Sequence, residues 1–229
     1  KPWYVASYNG GADSAQIFTA GGYKFLHIGL EMAPSDDVLA WVAKVINDHR
    51  GLPTIISIHD HLNTNGERAP NPMVDMAMVH AEHNNPEAVW KKLLSRHDQI
   101  FLVLNGHQHG QAYRADPGAG GFAVHQLLAD YQDRGQTAIA AGVKTAYPVG
   151  IGDGWMRFMT FDMSGATPAI RVRTYSTYYK AFSGDVPQYA AWYRGGEQPK
   201  LTDSEFLARD DFSIELKDFR QRFGKPARH

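Results

Sequence analysis

The sequence predicts a mixed α/β fold, with parallel strands joined by helices in its first half and antiparallel strands in its second. Three observations carry this reading. Short β-branched or apolar runs alternate with amphipathic helical patterns as far as Leu104. Beyond Gln111, strand-like runs are separated by short turns such as Ser164-Gly165. Hydrophobic residues make up 43% of the 229, enough to bury a substantial core.

In chain order, Tyr23–Leu30 follows Gly21-Gly22 and reads as a strand. Pro34-Ser35-Asp36-Asp37 then starts a helix, with Ser35 as N-cap and two aspartates at the positive end of the dipole. Val38, Leu39, Trp41, Val42, Val45 and Ile46 follow with helical spacing, and His49-Arg50-Gly51 ends it. Thr54–Ile58 is a β-branched strand that delivers His59-Asp60-His61. A long polar stretch over 62–84 follows, the kind of segment that is usually functional. Asn85-Pro86-Glu87 opens a second helix with proline at its first position, and Val89, Trp90, Leu93 and Leu94 are its apolar side. Residues 100–104 form the third strand. Strand–helix–strand–helix–strand implies parallel pairing with right-handed crossovers. Segments 111–116, 122–128, 155–162 and 169–178 read as antiparallel strands, with a Gly/Ala-rich loop over 135–154. Residues 1–186 are read as one unit. Residues 187–229 are read as a more polar C-terminal extension, packed on it or trailing from it, with one strand at 212–216.

Composition narrows function. Lys plus Arg (23) balances Asp plus Glu (24) with no run of like charge, which points away from a nucleic-acid or membrane-surface binder. No apolar run reaches membrane-spanning length. The lack of cysteine excludes disulfides and thiolate metal ligands, and suits an exported protein.

The chemistry-bearing signal is Gly106-His107-Gln108-His109-Gly110, directly after the third strand. Neutral imidazoles where a strand stops are good transition-metal ligands, and the glycines let the backbone turn sharply there. The parallel topology brings His59 to the same carboxyl edge, where ligand sites of α/β sheets lie. His59, His107 and His109 are therefore the candidate metal ligands. His61 is read either as a substrate contact or as a solvated loop residue. His80 and His83, at helical i, i+3 spacing, read as a solvated helix face rather than a second metal site. His27 and His125 read as sheet-face residues, and Glu31 as a cap or a group supporting a ligand. Trp155 and Tyr175 read as core, and Met73, Met76 and Met78 as packing of the long insertion.

These elements in this order resemble the calcineurin-like metallophosphoesterases, most closely the secreted bacterial type. The likeness rests on the Gly-His-x-His element, the strand from Gly21 to Glu31, the Trp41 helix and Ser57-Ile58-His59. It also takes in Asp130-Tyr131-Gln132, Gly152-Asp153-Gly154-Trp155 and Thr174-Tyr175-Ser176, and runs from about Tyr8 to about Phe182. It implies the C-terminal half of a metallophosphoesterase-type β-sandwich flanked by helices. It implies hydrolysis of a phosphoric mono- or diester with two transition-metal ions (Fe, Mn or Zn) set about 3.5–4 Å apart. His59 and His107 would ligate one ion and His109 the other. The family's Asp-x-His, Gly-Asp and Gly-Asn-His motifs are not found ahead of Tyr23, so an N-terminal half of the same protein is expected to supply them, including the bridging carboxylate. The resemblance further implies a periplasmic or secreted location. Two alternatives stand beside it: a catalytically incomplete module used for binding or scaffolding, and a mononuclear three-histidine zinc hydrolase.

Overall fold

The computed structural model describes residues 1–70, 78, 80–136 and 152–225. Met73 and Met76, and most of the 135–154 loop, lie outside the described residues; Met78 is exposed.

The architecture is mixed α/β, with two sheets and flanking helices. Among the described residues, seven strands form the larger sheet in the order β1-β2-β3-β4-β5-β7-β6. They are β1 (Tyr4–Tyr8), β2 (Asp13–Ala20), β3 (Tyr23–Leu30), β4 (Thr54–Ile58), β5 (Ile100–Asn105), β6 (Gly110–Pro117) and β7 (Ala123–Asp130). The β3–β4 and β4–β5 pairs are parallel, as the alternation with helices α1 (Asp36–Asp48) and α2 (Pro86–Lys92) requires. Ser35 caps its helix as expected, its Oγ accepting from the Val38 N–H, and Asn85 caps the second helix, its Oδ1 accepting from the Ala88 N–H.

The structure adds two features to this half of the fold. The hairpin β1–β2 precedes Tyr23, where no strand was expected. The β2 sequence Asp-Ser-Ala-Gln-Ile-Phe-Thr-Ala is too polar to read as a strand alone, and it is held by pairing on both sides. Strand β7 inserts parallel to β5 and antiparallel to β6, so the parallel run extends into the second half.

The second sheet is antiparallel and centred on β9 (Ala169–Ser176). Strand β8 (Trp155–Asp162) flanks one side, and β10 (Ala181–Phe182) with β11 (Asp211–Glu215) the other. Residues beyond 186 also form α3 (Tyr189–Glu197), α4 (Asp203–Ala208) and α5 (Phe219–Phe223). Tyr189, Phe206 and Phe219 in these helices are fully buried. One core lies between the larger sheet and α1–α2, centred on Leu26, Ile28, Ile56 and Val103 against Val42, Ile46 and Leu93. A second lies between the sheets, where Phe25, Phe101 and Leu127 meet Ile170, Val172 and Phe219. No helix among the described residues is long and apolar enough to cross a membrane.

His125 sits in the sheet beside Tyr113, its Nδ1 2.9 Å from the phenol oxygen. Burial pushes its pKa down to about 4. A histidine kept neutral in the folded state but ordinary in the unfolded state costs stability as pH falls below about 6.5, because the unfolded chain binds the proton first. We expect the urea midpoint to drop between pH 6.5 and pH 4, with about 3 kcal/mol assigned to this residue at the acid end. His125→Gln should flatten the profile; an unchanged slope in that variant would remove His125 as the cause.

Candidate metal centre

The site is built where β4 and β5 end together. Their parallel register sets Ile58 opposite Asn105, so the next residues of both strands adjoin at one edge. The Gly106 N–H donates to the His59 carbonyl at 3.2 Å. The two rings then face each other, with His59 Nε2 2.9 Å from His107 Nδ1. His107 has φ +67, a left-handed conformation that costs a side-chain-bearing residue about 1–3 kcal/mol and concentrates at functional sites. The turn is fixed by the Asp130 carboxylate, which accepts the His107 N–H at 2.9 Å, and by the Gln108 N–H on the Gly106 carbonyl.

His109 is at the same rim but is turned to other partners. Its Nδ1 lies 2.5 Å from Asp133 Oδ2, and Gln132 bonds its Nε2. An ionised carboxylate only accepts, so the Nδ1 proton points at Asp133 and Nε2 carries the lone pair. Gly110 follows, with φ +131; a Cβ there would fall 2.8 Å from Thr64 Cγ2, so the close approach needs glycine. Asp60 is buried beside the pair and accepts from the Gln108 amide at 3.2 Å. Burial raises its carboxyl pKa, while Gln108, His107 and His59 oppose that rise.

A cleft of about 370 Å³ opens beside His59 between the two sheets, with Ser57, Gly106, Arg157 and Met159 in its walls. The Arg157 guanidinium is held by the Leu128 carbonyl, Gln111 Oε1 and the Arg209 carbonyl.

Thus the structure joins His59 and His107 and leaves His109 facing Asp133. Among the described residues, no three His, Asp or Glu side chains gather tightly enough to hold an ion. His61 differs from both expectations for it. It is 1% exposed, with Nε2 2.9 Å from Gln126 Oε1 under β7, so neither solvent nor a substrate reaches it. Burial pushes its pKa down to about 4. His80 and His83 form a turn rather than a helix face: the His83 N–H bonds the His80 carbonyl, and His83 Nδ1 lies 2.6 Å from the Ala33 carbonyl. His27 is a sheet-face residue between Gln16 and Ser57. Glu31 meets Asp13, whose Oδ1 accepts the Glu31 N–H, and burial raises both carboxyl pKa values. Sequence reasoning missed Asp60 and Asp133. Asp60 adjoins His59 and was readable as an ordinary turn; Asp133 meets His109 only through the fold.

No protein-family model matches the chain. The chain is similar to the uncharacterized protein YvnB of Bacillus subtilis (strain 168), with 25% identity over 183 residues. The match covers 77% of this chain and spans 12% of the length of that relative.

Proposed function

We propose that this chain is part of a metal-dependent phosphoric-ester hydrolase of the calcineurin-like metallophosphoesterase type. One observation carries the reading: His59 Nε2 and His107 Nδ1 converge to 2.9 Å at a strained turn on the carboxyl edge of a parallel sheet. Two imidazole nitrogens sharing one ion at about 2.0–2.1 Å each lie about 3 Å apart, so the pair fits an ion. His109 offers a ligand atom to a second, because Asp133 fixes the Nδ1 proton and Nε2 keeps its lone pair, as in carboxylate–histidine pairs at metal sites; the ion would take the place of the Gln132 amide that bonds Nε2 here. A cysteine-free nitrogen and oxygen donor set suits Fe, Mn or Zn without choosing among them.

Such ions supply Lewis-acid neutralisation of the phosphoryl charge. The chain's own residues hold and orient. Asp130 fixes the His107 backbone and Asp133 the His109 ring, while Arg157, paired with Asp210 at 3.6 Å, forms part of the wall of the cleft where an anionic ester would lie. The remaining ligands, with the bridging carboxylate, are assigned to the N-terminal half of the same protein. The cysteine-free sequence fits a periplasmic or secreted setting.

The test uses the full-length protein: metal analysis, then hydrolysis of bis(p-nitrophenyl) phosphate and p-nitrophenyl phosphate before and after chelation. About two bound ions and chelator-sensitive turnover restored by metal are expected. A metal-free, inactive protein that gains neither metal nor activity on reconstitution would overturn the reading. The second reading, a binding or scaffolding module, is favoured by the absence of a three-ligand group among the described residues. It predicts that metal-free result.

The Asp133 role gives a sharper expectation. Asp133→Asn in the full-length protein should weaken metal binding about 10–100-fold, read by competition with a chromogenic chelator. Unchanged affinity would make Asp133 a structural partner only.

A further inference from the structure

Apart from the candidate ligands, the larger sheet carries one more set of side chains with chemistry. Gln16, His27 and Ser57 lie on three neighbouring strands, β2, β3 and β4. Alternation puts His27 on the face of Phe25 and Ser57 on the face of Ile55, both of which turn toward the second sheet. The three side chains are linked. His27 Nε2 lies 2.9 Å from Ser57 Oγ, and His27 Nδ1 lies 3.0 Å from Gln16 Oε1. An amide oxygen only accepts, so Nδ1 carries the proton and Nε2 turns its lone pair to the Ser57 hydroxyl. Burial lowers the His27 pKa, which keeps the imidazole neutral. A hydroxyl, a base and a third group that orients the base, each within hydrogen-bond reach, form the arrangement that activates a serine.

The serine is open to a ligand. Ser57 is half-buried and lines the cleft of about 370 Å³ beside His59. Its register partner on β3 is Gly29, which sets no side chain beside it. Leu104, Leu127 and Met159 make much of the wall apolar. Arg157 stands in the same wall, and its buried Nε–H has no acceptor among the described residues. A buried donor left unpaired costs about 1–3 kcal/mol, which an acceptor on a bound ligand would relieve. Apolar walls, an unpaired donor and an activated hydroxyl suit an ester with an apolar acyl chain.

We propose that Ser57 is the nucleophile of a metal-independent carboxylic-ester hydrolase site in this cleft. Ser57 Oγ bonds to the ester carbonyl carbon as its proton passes to His27 Nε2. The carbonyl electron pair moves onto oxygen, where the Arg157 Nε–H donates. The intermediate collapses, the bond to the alkoxide breaks, and His27 returns the proton to release an alcohol. Water, giving its proton to His27, then attacks the acyl-serine. The carboxylic acid leaves and Ser57 regains its proton. Gln16 stays on Nδ1 throughout and positions the ring. The proposal stands apart from the phosphoric-ester reading, because none of the three residues is placed as a metal ligand.

The experiment treats the full-length protein with a chelator, then with a biotinylated fluorophosphonate, and maps the adduct by peptide mass spectrometry. Hydrolysis of p-nitrophenyl butyrate is followed with and without chelator. The expected results are an adduct on Ser57 and turnover that survives chelation. Ser57→Ala should abolish both, and His27→Gln should slow both by about 10²–10⁴-fold. No adduct on Ser57, turnover lost on chelation, or parental turnover in Ser57→Ala would each overturn the proposal. Labelling of the unsubstituted protein decides the matter if either variant does not fold. Loss of phosphodiester turnover in the chelated sample does not bear on the Ser57 adduct, so the two readings fail separately.

Discussion

Replacing His107 by asparagine in the full-length protein is expected to remove about one equivalent of metal and to lower phosphodiester hydrolysis by more than about 100-fold. The magnitude follows from position. Losing a group that merely orients a ligand costs about 10–100-fold in affinity or activity, and His107 is proposed as the ligand itself. Asparagine is the informative substitution because His107 sits at φ +67. Asparagine tolerates the left-handed region far better than alanine does, so the turn and its bond to Asp130 survive while the imidazole is lost. His107→Ala should show the same metal loss with some added destabilisation. Full metal content and full turnover in His107→Asn would end the assignment of His59 and His107 as a shared site. Thermal melting of both variants separates loss of the ligand from loss of the fold.

The parts of this fold that were legible in the sequence are those whose local signal agrees with their tertiary role. The Thr54–Ile58 run is buried and parallel, as its β-branched residues suggest, and Ser35 and Asn85 cap the helices they precede. That much placed His59 and His107 at one edge, because register in a parallel pair follows from topology. What stayed hidden depends on contacts made at a distance. The β1–β2 hairpin carries Ser, Gln and Asp on strands whose partners alone define them. The segment beyond Val186 is polar on average, and its helices of nine, six and five residues are too short to display a period. His61 follows a site residue in a polar turn, and only the placement of Gln126 above it makes it an interior imidazole. The His109–Asp133 pair spans 24 residues of sequence without a motif.

The largest expected effect on stability lies at Arg134, which no sequence signal singled out. It is fully buried, and its Nε and Nη2 donate to the two oxygens of Glu197 at 2.6 Å each. Its Nη1 donates to Asp210 Oδ2 at 3.2 Å and to the Tyr189 hydroxyl, while the guanidinium stacks 4.2 Å from the Tyr131 ring centre. Asp210 is itself fully buried. Removing one partner of a buried ion pair leaves the other charge without compensation, at a cost of about 3–5 kcal/mol. Arg134→Met keeps most of the side-chain volume and deletes the charge. It should therefore lower the melting temperature by about 10 °C, given about 2–4 °C per kcal/mol in a chain of this size. Glu197 keeps some access to water, and Asp210 keeps bonds from Thr174 and Tyr189 and the Arg157 guanidinium at 3.6 Å, which together hold the cost toward the lower end. Adding Glu197→Gln should recover part of the loss, since that carboxylate is then no longer unpaired, while Asp210 stays charged to balance Arg157 at 3.6 Å. The network also reaches the candidate site: Arg134 directly follows Asp133, and its N–H bonds the Tyr131 carbonyl, closing the turn that presents Asp133 to His109. Arg134→Met should thus loosen the His109 contact before it unfolds the sheets, seen as earlier amide exchange at 130–134 than in β5. A melting point within about 1 °C of the parent would show that the tail holds this turn by apolar packing of Tyr131, Tyr189 and Phe206 alone.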